Sequence, residues 1–176
     1  AWSPLQSAQT VSGAQQAAAT LLDAAPVEGV TNANYWATKG MQLLWPVLYA
    51  AATSERTMGD VARWMALQDG DDSEGGEVHE VLAELAASDG TVGIEAQQAL
   101  TAFVGFWKLD TRTRSDIFST AQTLIAAWDD PYIAAASAVS VNTDSGEIVR
   151  PAMTLDRLLK GNNTLYVIQP LGTASR

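Results

Sequence analysis

Five oxygen-bearing side chains in one acidic stretch have the spacing of a calcium-binding loop. They occupy the first, third, fifth, ninth and twelfth positions of an EF-hand-like pattern: Asp69, Asp71, Ser73, Glu77 and Glu80. The position that normally holds the turning glycine is Glu74, and Gly75 and Gly76 come one and two places late. Two interpretations therefore stay open, a calcium site and a solvated acidic loop.

The same stretch lies in a longer segment without positive charge. No Lys or Arg occurs between Arg63 and Lys108, whereas nine acidic residues run from Asp69 to Glu95. Such a segment is either a docking face for a basic protein segment or a solubilising helix surface. Together with two arginines further on, the residues we expect to contact a partner are Asp71, Asp72, Glu74, Glu77, Glu80, Glu84, Arg112 and Arg114.

Those two arginines are expected on the first turn of a helix capped by Asp110. Cations at this end oppose the helix macrodipole, so something should compensate them. Arg112 and Arg114 either pair with Asp110 or Asp116, or they contact an external anion such as nucleic acid or an acidic neighbour.

Catalytic patterns are missing from the sequence. The Lys-Gly pairs at Lys39 and Lys160 lack the preceding glycine and following hydroxyl of a phosphate-binding loop. The chain has one histidine, His79, and no cysteine, which leaves no nucleophile-base pair and no thiolate metal site. Asp129 and Asp130 precede a proline and are expected to cap a helix. We predict that this chain has no catalytic residues, binds no cofactor and is not an enzyme by itself.

Composition indicates one globular domain. The 176 residues are 47 % hydrophobic and include six Trp, and the formal charge of −10 disfavours nucleic-acid binding by this chain. No apolar run is long enough to span a bilayer. Because the chain opens at Ala1 without an initiator Met, we interpret it as a piece of a larger protein.

The elements that would position these residues are mostly helices. Ser12 and Gln15 predict a capping box for a first helix that runs to Pro26. Residues 32–52 are apolar almost all the way round and predict a central buried helix, kinked by Pro46. Thr57 and Asp60 predict the cap of a short third helix with its apolar residues inward.

Four further helices follow from periodicity and stop signals. Residues 78–85 predict a helix stopped by Gly90, and residues 96–107 predict another. A longer helix is expected from Asp110 through Trp128, and Asp130 with Pro131 begins a short successor. The fold class is therefore mainly α, a bundle of about six to seven helices over residues 1–137.

The last residues, 138–176, change character. Val139 and Val141 could pair with Ile148 and Val149 as a small hairpin, and a short helix over residues 154–160 should follow. Residues 164–168 form a β-rich run, a short C-terminal β segment. A sheet supplied by sequence outside this chain would explain it.

Several segments in order resemble the all-α domain of type IV secretion coupling proteins, the TraG/TraD class of conjugation ATPases, in forms similar to those of actinobacteria. The Arg114-Ser115 pair opens a helix that ends in the Asp130-Pro131 turn, as in that family. Residues 2–5, 35–36, 58–64 and 155–168 resemble its flanking segments in the same order. Residues 139–151 depart from the family by extra turn-rich sequence.

The resemblance implies that this domain is inserted in a RecA-like ATPase. In that family the parent is membrane-anchored and hexameric, uses ATP and Mg²⁺ to translocate DNA, and presents the inserted domain at the cytoplasmic face of the bacterial membrane. The domain then recognises transfer substrates: relaxosome or relaxase proteins carrying DNA, or effector proteins. This chain would lack the phosphate-binding loop and be monomeric by itself. The alternative is a stand-alone acidic helical module that binds proteins and has no link to an ATPase.

Overall fold

The computed structural model describes residues 2–24, 33–69, 76–138, 140–141, 148–150, 153 and 158–160. Within these residues the chain is mainly helical, as the sequence predicts, and short 3-10 helices cover Pro4–Gln6 and Ala126–Asp129. The α-helices of the described residues are α1 Val11–Ala24, α2 Ala33–Thr53, α3 Met58–Leu67, α4 Glu77–Ala86, α5 Gly90–Trp107, α6 Thr111–Leu124 and α7 Pro131–Ser137.

Helix α2 is the centre of the bundle. It contacts α1, α3, α4, α5 and α6, and its C-terminal half is buried on every side. Pro46 lies inside this helix, and the α-helical segment continues on both sides of it. The prediction of a central helix that is apolar all round is confirmed. Because α2 must pack on every side, the other helices are arranged around it.

The first helix is capped differently from the sequence prediction. Helix α1 begins at Val11, and the Thr10 hydroxyl accepts the backbone N–H of Gly13 at 3.1 Å. Ser12 therefore lies inside the first turn, and the capping box proposed for Ser12 and Gln15 is wrong. A hydroxyl two residues earlier satisfies the same kind of free N–H group.

Three other caps form where the sequence places them. Thr57 and Asp60 make a reciprocal capping box on α3. The Asp110 carboxylate accepts the Thr113 N–H at 3.0 Å, and Asp130 accepts the Tyr132 N–H at 2.8 Å. The helix after Asp110 ends at Leu124, and Trp128 lies in a 3-10 helix instead of the same α-helix. These caps fix where α3, α6 and α7 begin.

The boundary between α4 and α5 also differs from the sequence prediction. Helix α4 ends at Ala86, and Gly90 begins α5 instead of stopping α4. Gly90 has a φ of +80°, which suits a residue without a Cβ. Gly93 packs directly on the Ser88 carbonyl, and a Cβ at this position would overlap that oxygen. The α4–α5 turn therefore depends on two glycines.

After α7 the described chain includes one small strand pair. The strand β1, Ser140–Val141, pairs antiparallel with β2, Ile148–Arg150. The sequence-predicted β run at 164–168 and most of the helix at 154–160 lie outside the described residues. No helix in the described ranges has both the length and the apolar character to cross a bilayer.

Glycine substitutions in α5 test the α4–α5 packing. Gly93→Ala should lower the free energy of unfolding by about 1–3 kcal/mol, because its Cβ overlaps a backbone carbonyl that cannot move freely. Gly105→Ala in the same helix is the control, since its Cβ would meet no atom within 4 Å. It should raise the free energy of unfolding by about 0.5–1 kcal/mol. Equal effects of both variants in chemical denaturation would contradict the packing described here.

Candidate protein-binding surface

Glu77, at the first position of α4, is the centre of a charged cluster. Its Oε2 accepts hydrogen bonds from Arg63 Nη2 at 2.6 Å and from Trp64 Nε1 at 2.9 Å. Its Oε1 lies 3.0 Å from Arg56 Nη2. Trp64 is fully buried, so this contact also satisfies an indole N–H that would otherwise have no partner in the core. Glu77 therefore ties α4 to α3 and to the turn before it.

Asp69 supplies the cap that α4 lacks locally. The N-cap residue, Gly76, has no side chain, and the Asp69 carboxylate accepts the N–H groups of Glu77 at 3.2 Å and Val78 at 2.7 Å. A carboxylate at this end also interacts favourably with the helix dipole. Asp69 thus joins the residue that follows α3 to the start of α4.

The surroundings shift the pKa values of Glu77 and Asp69 in opposite directions. Hydrogen bonds from Trp64 and then from Arg63 lower the pKa of Glu77. Burial raises the pKa of Asp69, and this effect outweighs the two backbone N–H groups that favour its charged form. The ionised form of Glu77 is therefore stabilised by the fold, whereas that of Asp69 is not.

The remaining predicted partner residues of α4 face solvent. Glu80 and Glu84 lie one helical turn apart, both exposed, and neither forms an ion pair with any described residue. Asp89, in the turn that follows, is also exposed. We call Glu80 and Glu84 the acidic face of α4. Asp71, Asp72, Ser73 and Glu74 lie outside the described residues.

The predicted arginines of α6 separate into two kinds. The Arg114 guanidinium lies 4.3 Å from the centre of the Trp107 ring, and its Nη1 is 3.5 Å from the Trp107 carbonyl oxygen at the end of α5. A cation is unfavourable at the start of α6 but favourable at the C-terminus of α5. The contact of Arg114 with the end of α5 therefore offsets the cost of its place in the first turn of α6. Asp110 is used as a cap, and Arg112 is exposed with no ion pair to a described residue.

Two clefts lie next to the Glu77 cluster, and Arg56 lines both of them. One, of about 360 Å³, lies between the ends of α2 and α4 and is lined by Thr53, Ser54, Arg56, Val81, Glu84, Leu85 and Ser88. The other, of about 460 Å³, brings the start of the described chain together with the end of α7, through Ser3, Leu5, Gln6 and Gln9 on one side and Ser137 and Ala138 on the other. Its remaining lining residues are Ala52, Glu55, Arg56, Thr57 and Met58.

No protein-family model, curated protein or solved structure matches this chain.

Two of the predicted calcium ligands, Asp69 and Glu77, make other contacts in the structure. Both oxygens of Asp69 accept backbone N–H groups, and both oxygens of Glu77 contact basic or indole donors. Across the described part of the chain, no three acidic or histidine side chains form a group suited to a metal ion. With Asp71 and Ser73 outside the described residues, the hypothesis stays a prediction.

Sequence reasoning did not identify the donors that surround Glu77. Arg56, Arg63 and Trp64 lie between 13 and 21 residues before it, and no short motif links them. The available signal was the absence of Lys and Arg after Arg63, which makes the two preceding arginines the nearest basic residues for the acidic stretch. Because Arg56 and Arg63 pair with Glu77, the carboxylates of α4 that remain exposed and unpaired among the described residues are Glu80 and Glu84.

Substituting Glu77 tests the cluster through pH. Because the fold lowers the pKa of Glu77 from its ordinary 4.5, the ionised side chain stabilises the fold above that pH, and this contribution is lost as the pH falls below it. Glu77→Gln should therefore be less stable than the native chain at neutral pH and differ from it less at acidic pH. Glu80→Gln is the control and should change stability little. A constant difference between Glu77→Gln and the native chain at all pH values would contradict this role.

Calcium titration separates the two interpretations of the acidic stretch. The Trp64 indole contacts Glu77, so its fluorescence should respond if calcium draws Glu77 into a site. We expect no change up to millimolar calcium, because binding would cost Glu77 its two guanidinium partners. A saturable change that is lost in Asp69→Asn would instead establish a calcium loop.

Proposed function

We propose that this chain is a substrate-recognition domain of the type IV secretion coupling-protein kind, which recruits relaxosome, relaxase or effector proteins for transfer. The observation that supports it best is the acidic face of α4, where Glu80 and Glu84 are exposed without a cationic partner among the described residues. A basic protein segment would supply the missing charge. The net charge of −10 argues against nucleic acid as the direct ligand.

The two ends of the helical body support the proposal of an inserted domain. Residues near the start of the described chain and residues at the end of α7 line the same cleft, so the two ends of the seven-helix body lie close together. A domain with neighbouring ends can be accommodated in a host without disturbing the host's core. This arrangement supports insertion in a larger ATPase, which the resemblance of several sequence segments also implies.

Recruitment would depend on the contacts that hold α4 in place. Its start is fixed by Asp69 and Glu77, and its apolar side packs on α5, so the acidic face is held in one orientation before a partner arrives. Electrostatic attraction would speed encounter and make binding sensitive to salt. ATP binding and hydrolysis would belong to the parent ATPase, and a membrane anchor and hexameric assembly would belong to it as well.

Charge reversal tests this function. The double variant Glu80→Lys/Glu84→Lys should weaken binding to the cognate relaxase or accessory protein by at least about tenfold in calorimetry, because like charges would face each other. Asp23→Lys/Asp116→Lys makes the same charge change on α1 and α6 and should bind nearly as the native chain does. Equal loss in both variants would reduce the effect to net charge, and binding to nucleic acid alone would contradict the proposal.

The full reading frame decides between this function and a stand-alone acidic module. A coupling protein should encode a Gly-Lys-Ser or Gly-Lys-Thr sequence before this region and an acidic Mg²⁺-side motif after it. A complete frame without either would favour the stand-alone module.

A further inference from the structure

We propose that the cleft between the ends of α2 and α4 accepts a lysine or arginine side chain of the protein partner. This inference rests on the proposed function, because it assigns one contact within the recruitment of a basic protein. The cleft is lined by Thr53, Ser54, Arg56, Val81, Glu84, Leu85 and Ser88 and has a volume of about 360 Å³. A water molecule takes about 30 Å³ of liquid volume, so a cleft of this volume has room for the many atoms of one long side chain.

Two helix ends give the cleft its preference for a cation. Helix α2 ends at Thr53 and α4 ends at Ala86, and both contribute their last turns to the cleft. Neither helix has a basic residue in its last turn. A helix C-terminus carries partial negative charge, and two such ends meeting at one cleft favour a positive group between them.

The hydroxyl groups in the cleft present acceptors. The Thr53 hydroxyl donates to the Tyr49 carbonyl at 2.7 Å, and the Ser54 hydroxyl donates to the Ala50 carbonyl at 2.7 Å. A hydroxyl has one hydrogen and two acceptor positions, so both oxygens remain able to accept from an incoming ammonium or guanidinium. Glu84 adds a full negative charge at the edge of the same cleft.

The basic residue that lines the cleft, Arg56, already forms an ion pair. The Arg56 guanidinium lies 3.0 Å from Glu77 Oε1, and Arg63, the second partner of Glu77, also lies 3.5 Å from Asp60 Oδ1. Glu84 forms no ion pair with a described residue. The charge of Glu84 is thus left for a partner.

The apolar part of the lining suits the stem of such a side chain. Val81 and Leu85 are half-buried on the side of α4 next to Glu84. Long basic side chains lie with their methylene stems on apolar surface and their charged ends at a polar group. A partner lysine or arginine would therefore lie along Val81 and Leu85, with its charge between Glu84 and the hydroxyls of Thr53 and Ser54.

The experiment uses nitrogen-labelled protein and a short synthetic peptide in which lysine and leucine alternate, with a glutamine-for-lysine peptide as the negative probe. Amide chemical shifts of Thr53, Ser54, Leu85 and Ser88 should move in a saturable way with the lysine peptide and remain unchanged with the other. Shifts confined to Glu80 and the outer side of α4 would overturn the cleft while leaving the acidic face as a docking site. No binding of the lysine peptide would overturn both.

One substitution gives the same test in affinity. Glu84→Gln should weaken binding of the lysine peptide by about fivefold, as expected for one partly exposed ion pair. Asp116→Asn removes an equal charge from α6 and is the matched control, with an expected change below about twofold. Similar losses in the two variants would overturn the assignment of Glu84 to the contact.

Discussion

The packing of α2 on every side is the constraint on which the rest of this structure depends. Its C-terminal half contains Leu43, Leu44, Val47, Leu48 and Tyr49, all fully buried. A helix that is apolar all round cannot lie at a surface, so α1, α4, α5 and α6 are required to cover it. The short helices and caps then arrange the surface around this fixed centre. The acidic face of α4 is one result, because α4 turns its apolar side inward.

Charge within the domain has two uses that sequence alone does not distinguish. Glu77 and Asp69 stabilise the fold, because Glu77 ties α4 to α3 and Asp69 caps the first turn of α4. Glu80 and Glu84 belong to the same helix and the same acidic stretch, yet they remain exposed. The difference arises from the position of each residue along the helix, because the spacing of Glu77, Glu80 and Glu84 places all three on one side of α4. The Glu77 carboxylate, at the first turn, meets Arg63 and Trp64 and becomes part of the fold, whereas Glu80 and Glu84, further along the same side, are left for solvent or a partner.

Local patterns predicted much of the helical architecture, and tertiary contacts decided the remainder. The caps at Thr57, Asp110 and Asp130 formed as predicted, because a side-chain oxygen next to a helix start acts over two or three residues. The α4–α5 boundary was misjudged because Gly90 begins α5 with a φ of +80° and Gly93 closely approaches the Ser88 carbonyl. The Glu77 cluster required knowledge of which helices lie side by side, which no short-range pattern contains. For the same reason the acidic stretch could be recognised, but its exposed members could not be selected.

The cleft that brings residues 3–9 together with Ser137 and Ala138 has a mechanical consequence. Force applied to the polypeptide on both sides of the helical body would pass across this cleft, between segments that already lie next to each other. Helices α5 and α6 would carry little of that tension, because the 3-10 helix Pro4–Gln6 contacts α2, and α7 contacts α3. If the domain belongs to a translocating motor, it could stay folded and keep the acidic face in place while the motor around it changes shape.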